Sequence, residues 1–134
     1  MKFLSPKIHG ILDIAVILVL LIAPSVLDFP NEAATVSYIL GAAYVLLVLF
    51  TAYPFGLVKV IPFTTHGTLE LVLSLFVVAM PWLAGFAEHG PARYFYIVAG
   101  VALFAVWLTT DYKAADLIYG KRGPGIKAGS ARTA

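Results

Sequence analysis

Cysteine is absent from this 134-residue chain, and charge is scarce, with only 12% Asp, Glu, Lys and Arg. The first absence removes disulfides, thiolate metal ligands and cysteine nucleophiles together. The second sets the chain apart from soluble domains, in which about 25% of residues are charged. The formal net charge is +2, far from the basic excess that a nucleic-acid surface demands, so nucleic acid is excluded as a partner. There is no Gly-rich phosphate loop, no His-Glu-x-x-His and no Gly-x-Ser-x-Gly elbow. The chain therefore reads as non-enzymatic.

What is present is apolar, at 61% hydrophobic residues. A helix crossing the hydrocarbon core needs about 20 mostly apolar residues. Four stretches meet that length, from Ile8 to Leu27, Ala33 to Phe55, His66 to Phe86 and Arg93 to Asp111. They show no polar–apolar alternation, which argues against a barrel. Backbone polar groups in lipid must be satisfied internally, so helices remain. The expected fold is all-α, with four transmembrane helices in a bundle and the lipid bilayer as the first partner.

Turn-forming segments divide the spans: Asp28-Phe29-Pro30-Asn31-Glu32, Tyr53-Pro54-Phe55-Gly56, Ile61-Pro62 and Glu88-His89-Gly90-Pro91. Ser5-Pro6 reads as N-cap and first residue of helix 1. His89 reads as a turn residue rather than a ligand, and Asp111 with Lys113 marks the end of the fourth span. With four spans both termini share one side, which receives Lys2, Lys7, Lys59, Lys113, Lys121, Arg122, Lys127 and Arg132, against Arg93 alone opposite. The positive-inside rule then places both termini in the cytoplasm, in an inner- or plasma-membrane type of protein. Trp82, Tyr94, Phe95 and Tyr96 are expected at the outer interface, and Tyr53, Tyr112 and Tyr119 at the inner one. Residues 120–134 read as a basic, flexible cytoplasmic tail. Helix 1 interrupted by Asp13, with no small-x-small cleavage site after it, reads as a span rather than a cleaved leader.

An internal repeat organises the rest. A shift of 57 residues lays His9-Gly10-Ile11-Leu12-Asp13 on His66-Gly67-Thr68-Leu69-Glu70, Pro24 on Pro81 and Phe29 on Phe86. Two further residues of loop align Gly41 with Gly100, Thr51 with Thr110 and Tyr53 with Tyr112. The expected units are two-helix repeats at 1–57 and 58–119. An even number of crossings per repeat gives both copies the same topology, related by a pseudo-two-fold axis along the membrane normal.

Met80-Pro81-Trp82-Leu83-Ala84-Gly85-Phe86 resembles the signature of the SPW-repeat family of small integral membrane proteins. The first copy, Ala23-Pro24-Ser25-Val26-Leu27-Asp28-Phe29, keeps the proline and phenylalanine but has Ser25 where tryptophan would stand. The serine before proline is replaced in both copies, by Ala23 and Met80. The resemblance implies a two-helix repeat with the signature in its first helix, and it carries no activity.

One polar constellation stands out. His9 and Asp13 are spaced i, i+4, as are His66 and Glu70, so each pair shares a helix face. Ionisable groups at bilayer depth usually face protein or a cavity. An axis between helices 1 and 3 would gather all four, with Gly10 and Gly67 permitting close backbone approach and Ala33, Ser37 and Gly41 forming a small-residue stripe on helix 2. Two imidazoles and two carboxylates suit a divalent metal such as Zn²⁺ or Fe²⁺, or shared protons. The alternative is mutual neutralisation within each helix, or wetting by headgroups and Lys7. Haem is disfavoured, because nothing in the chain shows room for a macrocycle. Three functions follow in order: a non-enzymatic membrane module packing with itself or another membrane protein; a cation- or proton-handling protein using His9, Asp13, His66 and Glu70; and a redox or lipid-acting membrane subunit.

Overall fold

The computed structural model describes residues 2–119, so the basic stretch 120–134 expected as a tail lies outside the described residues. Among the described residues five helices follow one another: α1 Pro6–Val26, α2 Asn31–Phe50, α3 Phe63–Leu83, α4 Gly90–Thr109 and α5 Tyr112–Tyr119. Among the described residues the only β-pairing is two isolated bridges, Leu4 with Thr110 and Thr51 with Ile61. The first four helices are long and apolar enough to cross a membrane. Their outer faces carry Leu18, Ile22, Leu46, Leu75, Phe76, Val98 and Val101, all exposed. Such a surface suits hydrocarbon, where exposed apolar side chains carry no penalty, and not water.

The helix starts follow local chemistry. Ser5 Oγ accepts the Ile8 N–H at 3.3 Å, with Pro6 opening α1. His89 caps α4, its Nδ1 accepting the Ala92 N–H at 3.2 Å, as a turn residue would. Pro62 at the α3 N-cap has no side-chain cap to offer. Asp116, in α5, takes that part: its carboxylate accepts from Phe63 N at 2.5 Å, Thr64 N at 3.1 Å and the Thr64 hydroxyl at 2.6 Å.

The ends of α1 and α3 explain the repeated proline and phenylalanine. Leu27 N–H bonds Ala23 O and Phe29 N–H bonds Pro24 O; Ala84 N–H bonds Met80 O and Phe86 N–H bonds Pro81 O. Asp28 at φ 49° and Gly85 at φ 78° supply the left-handed residue between them. Each is a Schellman termination, completed by a buried phenylalanine. Phe29 and Phe86 both pack against Tyr96, at ring centroids of 6.2 and 4.9 Å.

Two expectations need correction, and one element is added. Helix 2 stops at Phe50 rather than Phe55, because Val60 and Ile61 N–H groups fold back onto Phe50 O and Leu57 and Val58 onto Leu49 O. The segment after Asp111 is a fifth helix, its first turn capped by Asp111 Oδ1 accepting the Ala114 N–H at 3.3 Å. Tyr96 is fully buried instead of interfacial, because its hydroxyl donates to Ala33 O at 2.7 Å across the bundle. Trp82 and Tyr94 are exposed.

Helix α1 packs along α2 and α3 along α4, while α5 lies against α3 and α1. At Gly100 the α3 backbone comes so close that an added Cβ would stand 2.7 Å from Ser74 O. Ala33, Ser37 and Gly41 are buried, with Ser37 Oγ donating to Leu20 O at 2.6 Å. Apolar grooves of about 580 Å³ between α1 and α4 and about 450 Å³ between α2 and α3 open on the outside. The polar interior sits at the end where α1 and α3 begin.

Candidate functional site

His9 and His66 are the fourth residues of their helices, and Asp13 and Glu70 follow one turn later. A rise of about 1.5 Å per residue sets the carboxylates about 10 Å inside the helix start. All four side chains are buried, with at most 1% exposure. The structure brings the four together. His9 Nε2 lies 3.2 Å from Asp13 Oδ1, 3.5 Å from Glu70 Oε2 and 3.5 Å from His66 Nε2. His66 Nε2 lies 3.7 Å from Asp13 Oδ2. Wetting of the acids by headgroups or Lys7 is thereby corrected, since Lys7 is exposed and the quartet is sealed.

The outward ring nitrogens are held alike. His9 Nδ1 meets Thr110 Oγ1 at 2.9 Å, and His66 Nδ1 meets Thr51 Oγ1 at 2.9 Å. Each threonine hydroxyl has one proton, and each also touches a carbonyl that can only accept: Leu47 O at 2.5 Å and Val106 O at 2.7 Å. The hydroxyl protons are therefore spent on those carbonyls, and the imidazoles donate from Nδ1. That arrangement turns both Nε2 atoms into the quartet.

Three phenols complete the shell. Tyr53 donates to Asp13 Oδ2 at 2.9 Å, and Tyr112 donates to Glu70 Oε2. Tyr44 lies 3.2 Å from both Asp13 Oδ1 and Glu70 Oε1, and its single proton can serve one of them at a time. Burial, with the neighbouring carboxylates, pushes the Tyr53 and Tyr112 phenols well above their ordinary range, so both stay protonated donors. Phe63 roofs the site, its ring 5.1 Å from His9, 5.2 Å from Tyr53 and 4.8 Å from Tyr112.

Tyr53 and Tyr112, expected at the inner interface, are thus site residues: bonding a buried carboxylate outweighs sitting among headgroups. The repeat register, which pairs Tyr53 with Tyr112 and Thr51 with Thr110, is the signal that could have found them. Gly10 and Gly67 also act differently from expectation. Instead of admitting a neighbouring backbone they seat aromatic rings, where an added Cβ would overlap Phe55 at Gly10 and stand 2.7 Å from Tyr112 Cε1 at Gly67. Tyr44 has no counterpart: the same register puts Leu103 opposite it.

Chemically the centre sets two imidazole Nε2 atoms and two carboxylates facing one another, and three phenol protons enter. Every buried side-chain polar atom among the described residues nonetheless has a neighbour within bonding reach. His9, His66 and Glu70 each offer a ligand atom within 4.8 Å of the others.

No curated protein and no solved structure matches the chain. The family model described as SPW repeat domain matches residues 7–110, which takes in all but the first residue of the four long helices, both Schellman-ended prolines and the whole quartet. With the helix-terminating signature already located at Pro24 and Pro81, the chain belongs to the SPW repeat family and is a small integral membrane protein.

Proposed function

We propose that this is a non-enzymatic membrane protein of two helix-pair repeats, 1–57 and 58–119, which holds a cation, a proton or a metal ion, between them. Both termini face the cytoplasm in this reading, so the buried site lies on the inner-leaflet side. One observation carries it: two imidazole Nε2 atoms and two carboxylates converge, with approaches of 3.2–3.7 Å between them, in a buried interior with no Lys or Arg among them. In a low dielectric an uncompensated cluster of that kind costs several kcal/mol per ion or more. A positive charge at its centre removes the penalty. The outer grooves are lined by apolar side chains and contain no quartet residue, which sets them aside as lipid-facing surface.

The test uses the full chain in sealed vesicles. Wild type is expected to carry protons or Zn²⁺ down an imposed gradient, or to retain metal by elemental analysis. The double variant His9→Ala, His66→Ala is expected to lose whichever property wild type shows. Equal flux and equal metal content in the two preparations would overturn the reading. Labelling of single cysteines placed at position 3 and in the loop at position 88 tests the orientation, with the first expected to react only from the cytoplasmic side.

A further inference from the structure

The geometry points to a specific occupant class: a divalent first-row metal ion of the zinc type, held by His9 Nε2, His66 Nε2 and Glu70, with Asp13 as the second carboxylate. This rests on the cation reading above and narrows it. Ligand atoms on bonds of about 2.1 Å at tetrahedral corners stand about 3.4 Å apart. Here the Nε2 to Nε2 separation is 3.5 Å, His9 Nε2 to Glu70 is 3.5 Å and His9 Nε2 to Asp13 is 3.2 Å. His66 Nε2 to Asp13 is 3.7 Å, so the four edges that these distances give lie near that spacing, and His66 with Glu70 falls within 4.8 Å.

The surroundings point the same way. A metal-bound imidazole nearly always donates its other N–H to a fixed acceptor, which sets tautomer and ring direction. Thr110 and Thr51 provide that acceptor on the two rings, and each threonine is itself fixed on a carbonyl one turn back, in the helix that it caps. The ligating carboxylates are in turn hydrogen-bonded, Asp13 by Tyr53, Glu70 by Tyr112 and both within reach of Tyr44. The two Nε2 atoms stand 3.5 Å apart, and one ion would take both as ligands. Imidazole nitrogen in half the donor set favours zinc and its neighbours over Ca²⁺ and Mg²⁺, which take oxygen. Two carboxylates against a double positive charge leave the buried unit neutral, which suits a helix bundle in lipid.

The residues that would act through the ligands are Thr51 and Thr110. They are positioning residues: neither touches the ion, and both fix which nitrogen faces it.

Cobalt(II) is the probe, added to full-length, chelator-treated protein in detergent. Wild type is expected to bind one Co²⁺ per chain, with the intense visible d–d bands of a tetrahedral site, and to release it to Zn²⁺. His66→Ala and Glu70→Gln are expected to weaken binding at least 100-fold; Glu70→Gln preserves side-chain shape and serves where His66→Ala fails to fold. Thr51→Val is expected to cost about 10- to 100-fold with the helix content unchanged, and Thr51→Ser to restore it. Absence of Co²⁺ bands at millimolar metal, octahedral bands only, or binding undiminished in Glu70→Gln would overturn the metal assignment. If proton movement in vesicles is still lost in the His9→Ala, His66→Ala variant, the broader cation reading stands without the metal; if it is not, both fall.

Discussion

Replacing Asp116 by alanine isolates one long-range contact whose energy can be worked through. The carboxylate accepts two backbone N–H groups and one hydroxyl at the start of α3, from a position 53 residues away. Pro62 has no side-chain donor or acceptor, so nothing local replaces it. An N-cap is worth about 0.5–2 kcal/mol, and the negative charge at a helix N-terminus adds about 0.3–1 kcal/mol. Asp116 is half-buried, so water recovers part of the loss. The expected destabilisation is about 2 kcal/mol, or about 8 °C in melting temperature for a chain of this size. Asp116→Asn keeps one acceptor and should lose about half as much. Thermal melts of detergent-solubilised protein, followed by far-ultraviolet circular dichroism, measure both. Because Asp116 also ties α5 over Phe63, a fluorophore at position 119 should gain mobility in the alanine variant before the long helices melt. A melt within 1–2 °C of wild type, or equal losses for alanine and asparagine, would refute the capping argument.

Tyr44→Phe removes a hydroxyl shared by two buried carboxylates and should cost about 1.5–3 kcal/mol in metal-free protein, and less once an ion neutralises the acids, as read by melts with and without Co²⁺. Gly100→Ala forces a methyl against α3 backbone that cannot yield, and a loss of about 1–3 kcal/mol is expected in the same assay. Tyr53 and Tyr112, with phenols raised by burial, should resist ionisation in an ultraviolet titration. Unfolded phenols ionise near pH 10. Their stabilising contribution is therefore complete below that pH and declines above it, and normal titration of all seven tyrosines in folded protein would contradict the site.

Much of this molecule was legible in the amino-acid order because the two strongest constraints are local. Hydrocarbon thickness writes itself as runs of apolar residues, and an i, i+4 pair of ionisable groups inside such a run has few explanations. The repeated His-Gly-x-Leu-acid segment therefore identified four residues that the fold places within bonding reach. The rest depends on contacts between distant segments. Tyr44 lies in an apolar stretch where a lone aromatic residue carries no spacing signal. Tyr53 and Tyr112 end their spans, a position where a headgroup anchor and a buried donor look the same in sequence. Asp116 reads as a charge past the last span, and only the folded chain shows that it completes a helix beginning 53 residues earlier. The eight-residue α5 is too short for periodicity to distinguish it from a loop.

Tyr44 sets a condition on how such a centre can be assembled. The histidine, threonine and outer phenol contacts come in matched pairs, but a single hydroxyl lies between Asp13 and Glu70, with Leu103 at the corresponding position. Two identical half-chains meeting as a homodimer would deliver two phenols to that spot or none. In the proposed two-repeat reading, covalent linkage lets one copy keep tyrosine while the other fills the space with hydrocarbon, an arrangement that a symmetric pair of shorter proteins cannot reach.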